Sequence, residues 1–115
     1  MSGDKFYKCL GNDIRLRCLV LLVSREALCV CDIAEALCIS QPMTSRHLAR
    51  LRACNLVSDH REGHWVYYRL HTDLKTWQKN VLTATLKGVG VQAPYREDLQ
   101  RLQALELNKR VGDCR

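Results

Sequence analysis

Cys29-Val30-Cys31-Asp32-Ile33-Ala34-Glu35-Ala36-Leu37-Cys38-Ile39-Ser40-Gln41-Pro42-Met43-Thr44-Ser45-Arg46-His47-Leu48-Ala49-Arg50-Leu51-Arg52 is the stretch that decides the fold. A paired thiol runs into a helix over roughly residues 32–38. The turn Ile39-Ser40-Gln41 follows, and a second helix opens at Pro42. Two short helices joined by such a turn make a helix-turn-helix, whose second helix enters the DNA major groove. The first helix has two readable starts. Either Asp32 is the N-cap with Glu35 three residues on, or Cys29 caps and Asp32 falls in the first turn. For the second helix, Ser40 or Gln41 caps, Pro42 suits the first position and Asn55 follows the end.

Within that second helix, Thr44, Leu48 and Leu51 share the face expected to meet the core. Met43, Arg46, His47 and Arg50 share a separate polar face, with Ser40, Gln41 and Ser45 beside it. Such groups suit phosphates and base edges. On charge alone this would be a solvated helix face; the preceding helix and turn favour DNA.

Downstream, residues 56–60 and 65–70 read as two strands around Arg61-Glu62-Gly63-His64. Val66, Tyr68 and Leu70 share one side of the second strand, and Trp65, Tyr67 and Arg69 the other. A basic-tipped hairpin directly after a helix-turn-helix makes a wing, with Arg61 and His64 placed to reach DNA. Residues 73–87 predict a helix with an apolar stripe of Leu74, Trp77, Val81 and Ala84. Gly88-Val89-Gly90 and Pro94 end it, and a last helix carries Tyr95, Leu99, Leu102 and Leu105 along one side.

Upstream, Phe6, Leu10 and the run Ile14–Val23 predict a helical region interrupted near Gly11, its second half apolar on most sides. The expected architecture is mostly α with a small β-hairpin: a winged helix-turn-helix in one domain over residues 1–115. Its N- and C-terminal helices are expected to form a homodimer, which suits a palindromic site.

Composition agrees. A chain of 115 residues makes one domain, and a formal charge of +6 favours polyanions. No apolar run approaches a bilayer span, and residues 1–11 lack the h-region of a signal peptide, so a cytoplasmic protein without membrane association is expected. The 7 cysteines are odd in number and without framework spacing. They are therefore expected to be reduced thiols, with Cys18 and Cys54 in packing roles.

Leu28-Cys29-Val30-Cys31-Asp32-Ile33, Ser40-Gln41-Pro42, Ser45-Arg46-His47-Leu48 and Gly63–Leu70 together resemble the ArsR/SmtB family of metalloregulatory repressors. The likeness is strongest to the arsenical-resistance branch and covers roughly residues 5–75. It implies a dimeric repressor that binds double-stranded operator DNA and releases it when a toxic metal or metalloid binds. Two departures stand out. The branch's third cysteine is Ala34 here, and an apolar position before Ser-Arg-His is Thr44. The zinc-sensing branch's ligands on the helix after the wing look absent, since residues 73–87 hold no histidine.

Thiolates select soft, thiophilic ions, so Cys29 and Cys31 are the candidate ligands for trivalent arsenic or antimony, with no catalytic cofactor expected. The nearby helix N-terminus favours the thiolate. For a third ligand, Cys9 from either protomer is expected, with Cys114, an external thiol or two-thiol binding as the alternatives. In extended chain, residues i and i+2 project to one side; in a helix they lie roughly 200° apart. Binding one ion at both sulfurs is therefore expected to unwind the first helical turn and shift the DNA-reading unit. A redox-sensing or cadmium/lead-sensing repressor is the alternative, and a metal-buffering protein a further one. No base or cofactor motif accompanies Cys-x-Cys, which argues against a thiol enzyme.

Overall fold

In the computed structural model, residues 2–108 are described; Cys114 lies outside them. The elements run α1 (Gly3–Leu10), α2 (Asp13–Ser24), β1 (Leu28–Cys29), α3 (Val30–Leu37), α4 (Gln41–Ala53), β2 (Val57–Glu62), β3 (Trp65–Leu70), α5 (Thr76–Val89) and α6 (Tyr95–Leu107).

α2 is the hub. Cys18, Leu19, Val20, Leu21 and Leu22 are all buried, and α1, α3, α4, α5, α6 and β3 each pack on this helix. A helix apolar all round must be enclosed to be stable. Its start is set by Asn12, whose side chain accepts from the Arg15 N–H at 3.0 Å. That cap explains why the helical region breaks after Gly11.

The sheet is larger than a hairpin. Three antiparallel strands lie in the order β1-β3-β2, because Leu28 and Cys29 pair with Tyr68 and Tyr67. A two-residue strand has no alternation to read, so the sequence showed only β2 and β3. The β2–β3 turn is tight, with Gly63 at φ +62°. This is the left-handed region that glycine enters freely.

The helix after the wing differs from expectation. α5 begins at Thr76, and its buried residues are Gln78 and Leu82. The Trp77 side of the expected stripe faces outward, with Trp77 42% exposed. Polar Gln78 is accommodated because its Oε1 accepts the Lys75 N–H at 2.9 Å. α6, expected to serve dimerisation, packs on α3 and α2 of its own chain. Leu102 and Asp98 are fully enclosed there.

Beside the buried Leu102, Asp98 ties α6 to its neighbours. Arg17 on α2 donates to both its carboxylate oxygens at 2.8 Å, and Arg101 donates to it at 2.7 Å. The same arginines cap the end of α3: Arg17 donates to the Leu37 carbonyl at 2.9 Å and Arg101 to that of Ala36 at 2.6 Å. Carbonyls orphaned at a helix C-terminus are thus satisfied by cations, the favourable sign for the helix dipole.

Candidate nucleic-acid interface and thiol sites

The first helix of the pair starts at Val30 with Cys29 in the cap position and Asp32 in the first turn. This settles the two starts in favour of the Cys29 cap. α3 ends at Cys38, whose φ of 57° is left-handed, and the Ile39 N–H bonds back to the Ala34 carbonyl at 3.1 Å. That closing bond turns the chain sharply into α4.

α4 has Ser40 as its N-cap, with the hydroxyl accepting from the Met43 N–H at 3.2 Å. Gln41 and Pro42 occupy its first two positions. Thr44, Leu48 and Leu51 are buried as expected. Thr44 fits a core position because its Oγ1 donates to the Ser40 carbonyl at 2.9 Å. Beyond the helix, Asn55 adopts φ 58°, and Leu56 N–H bonds to the Leu51 carbonyl at 3.0 Å. Arg52 at that end pairs with Asp59 at 3.0 Å, tying α4 to the wing.

The polar face lies where spacing put it. Ser40, Gln41, Arg46 and Arg50 are exposed; Met43, Ser45 and His47 are half-buried. The His47 imidazole is held below its ordinary value by burial, then by the charges of Arg15, Arg46 and Arg50, against Asp13. It is therefore neutral at pH 7 and able to donate from one ring nitrogen and accept at the other. On the wing, Arg61 and His64 are exposed. Arg61 is a strand residue opposite Val66, rather than a turn residue. The His60 ring stacks on Tyr67, centroids 5.3 Å apart, stiffening the hairpin.

The thiol pair sits behind this surface. Cys29 and Cys31 Sγ atoms are 2.9 Å apart, with Cys29 buried and Cys31 half-buried. The expected conflict between a wound helix and adjacent sulfurs is not what the structure shows. Because Cys29 keeps the extended cap conformation, at φ −70° and ψ 143°, only Cys31 is on the helix. One extended residue suffices to bring the sulfurs together while α3 stays wound. Cys29 is at the same time the sheet partner of Tyr67. The pair thus touches both the first helix and the wing.

Cys9, expected as a further ligand, is elsewhere engaged: it forms a disulfide with Cys54 at the end of α4. This corrects the expectation that all the thiols are reduced and that Cys54 only packs. The two are 45 residues apart, and only the docking of α1 over α2 and the end of α4 joins them. No spacing rule signals such a contact. Among the described residues, no group of three or more His, Cys, Asp or Glu side chains is arranged to hold a metal ion. None of their helices is long and apolar enough to cross a membrane.

Comparison with known proteins agrees with this geometry. The profile described as "Bacterial regulatory protein, arsR family" matches residues 12–59. The chain is 50% identical over 84 residues to the "Arsenic resistance transcriptional regulator ArsR1" of Pseudomonas putida (strain KT2440), a match covering 72% of this chain and 62% of that protein. It is 34% identical to the "Arsenical resistance operon repressor" of Escherichia coli (strain K12), over 96% of this chain and 86% of that one. Among solved structures, the "AntR antimony-specific transcriptional repressor" superposes with a TM-score of 0.63 at 29% identity, covering 75% of each chain.

Proposed function

The chain belongs to the arsR family of bacterial regulatory proteins, and from that membership we propose that it is a repressor released from operator DNA by trivalent arsenic or antimony at Cys29 and Cys31. The observation that carries this reading is the sulfur pair itself: two sulfurs 2.9 Å apart, one on Cys29, which caps α3 and pairs with β3, and one on Cys31 in the first turn of α3. Soft sulfur donors select thiophilic ions. The relatives named for arsenic resistance and the AntR likeness support a metalloid over other soft ions.

On DNA, α4 enters the major groove with Met43, Arg46, His47 and Arg50 toward the bases, and Ser40, Gln41 and Ser45 toward the backbone. Arg61 and His64 bring the wing to the adjoining phosphates or minor groove. The protein acts as a homodimer. Phe6 is buried between Tyr7 and Trp77, with ring centroids 5.1 Å from each. Tyr7 and Trp77 remain 54% and 42% exposed, leaving an aromatic face on α1 and α5 for a second copy to cover.

Capture does not require α3 to unwind. An ion held by both sulfurs fixes the backbone at residues 29–31, which sets both the first turn of α3 and the β1–β3 pairing. It releases DNA to the extent that it prefers the off-DNA geometry of that segment; typical coupling is about 1–3 kcal/mol. With Ala34 where the resemblance leads one to expect a thiol, and Cys9 joined to Cys54, an external thiol or hydroxide completes three-fold coordination.

The test is fluorescence anisotropy of the full chain on the DNA upstream of its gene, titrated with arsenite, antimonite, cadmium and peroxide. Arsenite or antimonite is expected to release the DNA, and Cys29→Ser or Cys31→Ser to abolish release while Cys9→Ser keeps it. Release by peroxide alone, or release from the double serine variant, would count against the proposal.

A further inference from the structure

Between the end of α4, the root of the wing and the first turn of α5 lies a cavity of about 260 Å³, lined by Asn55, His71, Asp73 and Gln78. Neither the DNA-facing surface nor the thiol pair includes any of the four. The backbone around the cavity is well tied. The His71 N–H donates to the Leu56 carbonyl at 2.9 Å, and the Leu74 N–H donates to the His71 carbonyl at 3.3 Å. The Leu74 side chain anchors this turn in the core.

The polar groups of the wall differ in kind. Gln78 is the most enclosed of them, at 5% exposure, and its Oε1 is taken by the Lys75 N–H at 2.9 Å. That bond fixes which way the amide faces. Its Nε2 has no hydrogen-bond acceptor among the described residues, so the innermost polar group is a donor in want of an oxygen. His71 Nδ1 accepts the Asp73 N–H at 3.0 Å. The ring hydrogen therefore sits on Nε2, which makes a second donor. The positive end of α5, with no acidic residue in its first turn, favours negative charge on the same side. At the rim stands the Asp73 carboxylate, its side chain 88% exposed.

The geometry points to a binding site for a small α-amino acid, its carboxylate toward Gln78 and His71 and its ammonium toward Asp73. Other classes each meet a wrong partner. A metal cation would face the Gln78 amide hydrogens instead of a lone pair, and the Nδ1 lone pair of His71 is already spent. A simple carboxylate or phosphate would offer Asp73 nothing but like charge. Size agrees, since the volume falls just short of the roughly 300–1,000 Å³ common for drug-sized ligands. A molecule held there touches the residue after the α4 cap, the residue after β3 and the first turn of α5 at once. The site is separate from the inducer thiols and does not depend on them.

L-alanine and L-serine are the probes, titrated into isotope-labelled full-length protein and followed by heteronuclear NMR. Saturable shifts are expected at the Gln78 side-chain amide and at the backbone signals of Asn55 and His71. L-lactate, with a hydroxyl in place of the ammonium, should bind about tenfold more weakly, having lost the charge-assisted bond to Asp73. Asp73→Asn, at an exposed position, should leave the fold intact and erase that preference. Gln78→Met keeps the volume but removes the donor and should abolish the shifts, with circular dichroism confirming the fold. No saturable shift at Gln78, L-lactate binding as tightly as L-alanine, or unchanged affinity in both variants would overturn the proposal. The readout involves neither DNA nor metalloid, so its failure leaves release through Cys29 and Cys31 untouched.

Discussion

Replacing Asp98 by alanine is expected to be among the most damaging single substitutions in this chain, although Asp98 lies on the last helix, outside the DNA-facing residues. Its carboxylate is 1% exposed, and the Arg17 side chain facing it is 15% exposed. Two charge-assisted bonds from Arg17 at 2.8 Å and one from Arg101 at 2.7 Å disappear together. Arg101 is 39% exposed, so its share is screened and small. Arg17 is left as a largely buried cation, and breaking a buried pair this way costs about 3–5 kcal/mol. For a chain of this length, about 2.1 cal/mol/K per residue of unfolding entropy converts this into a drop of roughly 12–20 °C in Tm. Scanning calorimetry reads that drop directly. The exposed Arg25–Glu106 pair, at 33% and 43%, is the control: Glu106→Ala should cost under about 1 kcal/mol. Operator affinity measured well below Tm should also fall for Asp98→Ala, since Arg17 and Arg101 reach the Leu37 and Ala36 carbonyls that end α3. The reasoning fails if Asp98→Ala costs no more than Glu106→Ala. An Asp98→Leu/Arg17→Met double replacement that recovers most of the loss would show that the stranded charge, rather than poorer packing, was the cause.

Other outcomes follow from the same geometry. His47 is held below the ordinary imidazole value, chiefly by burial, while DNA phosphates favour the imidazolium. Binding therefore takes up a proton, and affinity should rise as pH falls through the window between the depressed free value and the higher bound one. Superimposable pH profiles for wild type and His47→Gln would refute this. The same depression makes folding stability fall as pH drops from the ordinary value toward the lowered one, because the unfolded chain then binds the extra proton; pH-dependent denaturation curves of the two proteins should diverge there. Burial pushes the Cys18 thiol up to about 12, so Cys18 should resist iodoacetamide at pH 8 while exposed Cys38 is labelled; equal labelling in the folded state would contradict the burial. Arg61→Ala should weaken binding to specific and random DNA alike and reduce the salt slope by about 1 for each phosphate that Arg61 neutralises, with an unchanged slope as the contrary result. Ala34→Cys places a thiol one turn after Cys31 on α3, and should tighten arsenite binding at least several-fold by competition titration; unchanged affinity would mean that the buried position cannot turn its sulfur toward the pair.

The helix-turn-helix, its polar face and the wing were readable from residues alone. Ser40 and Pro42 mark one boundary and Asn55 the other, and Thr44, Leu48 and Leu51 repeat at helical spacing. These signals act over one or two turns, so local sequence carries them. The cysteine pair was legible for the same reason. What spacing implied about its geometry was wrong by one residue's conformation: Cys29 stays extended as cap and strand, letting the sulfurs meet beside an intact helix.

Tertiary structure alone decided the rest. Leu28 and Cys29 became a strand because β3 offered an edge; two residues have no period of their own. Trp77 turned outward and Gln78 inward because α2 claims one side of α5, and a helix with two adjacent half-apolar stripes does not say which side that is. Arg17 met Asp98, and Cys9 met Cys54, across separations of 81 and 45 residues. Periodicity and capping report on neighbours along the chain. Pairings at such separations exist only after α1 and α6 have docked around α2, and the free energy that selects them belongs to the packed core rather than to any segment within it.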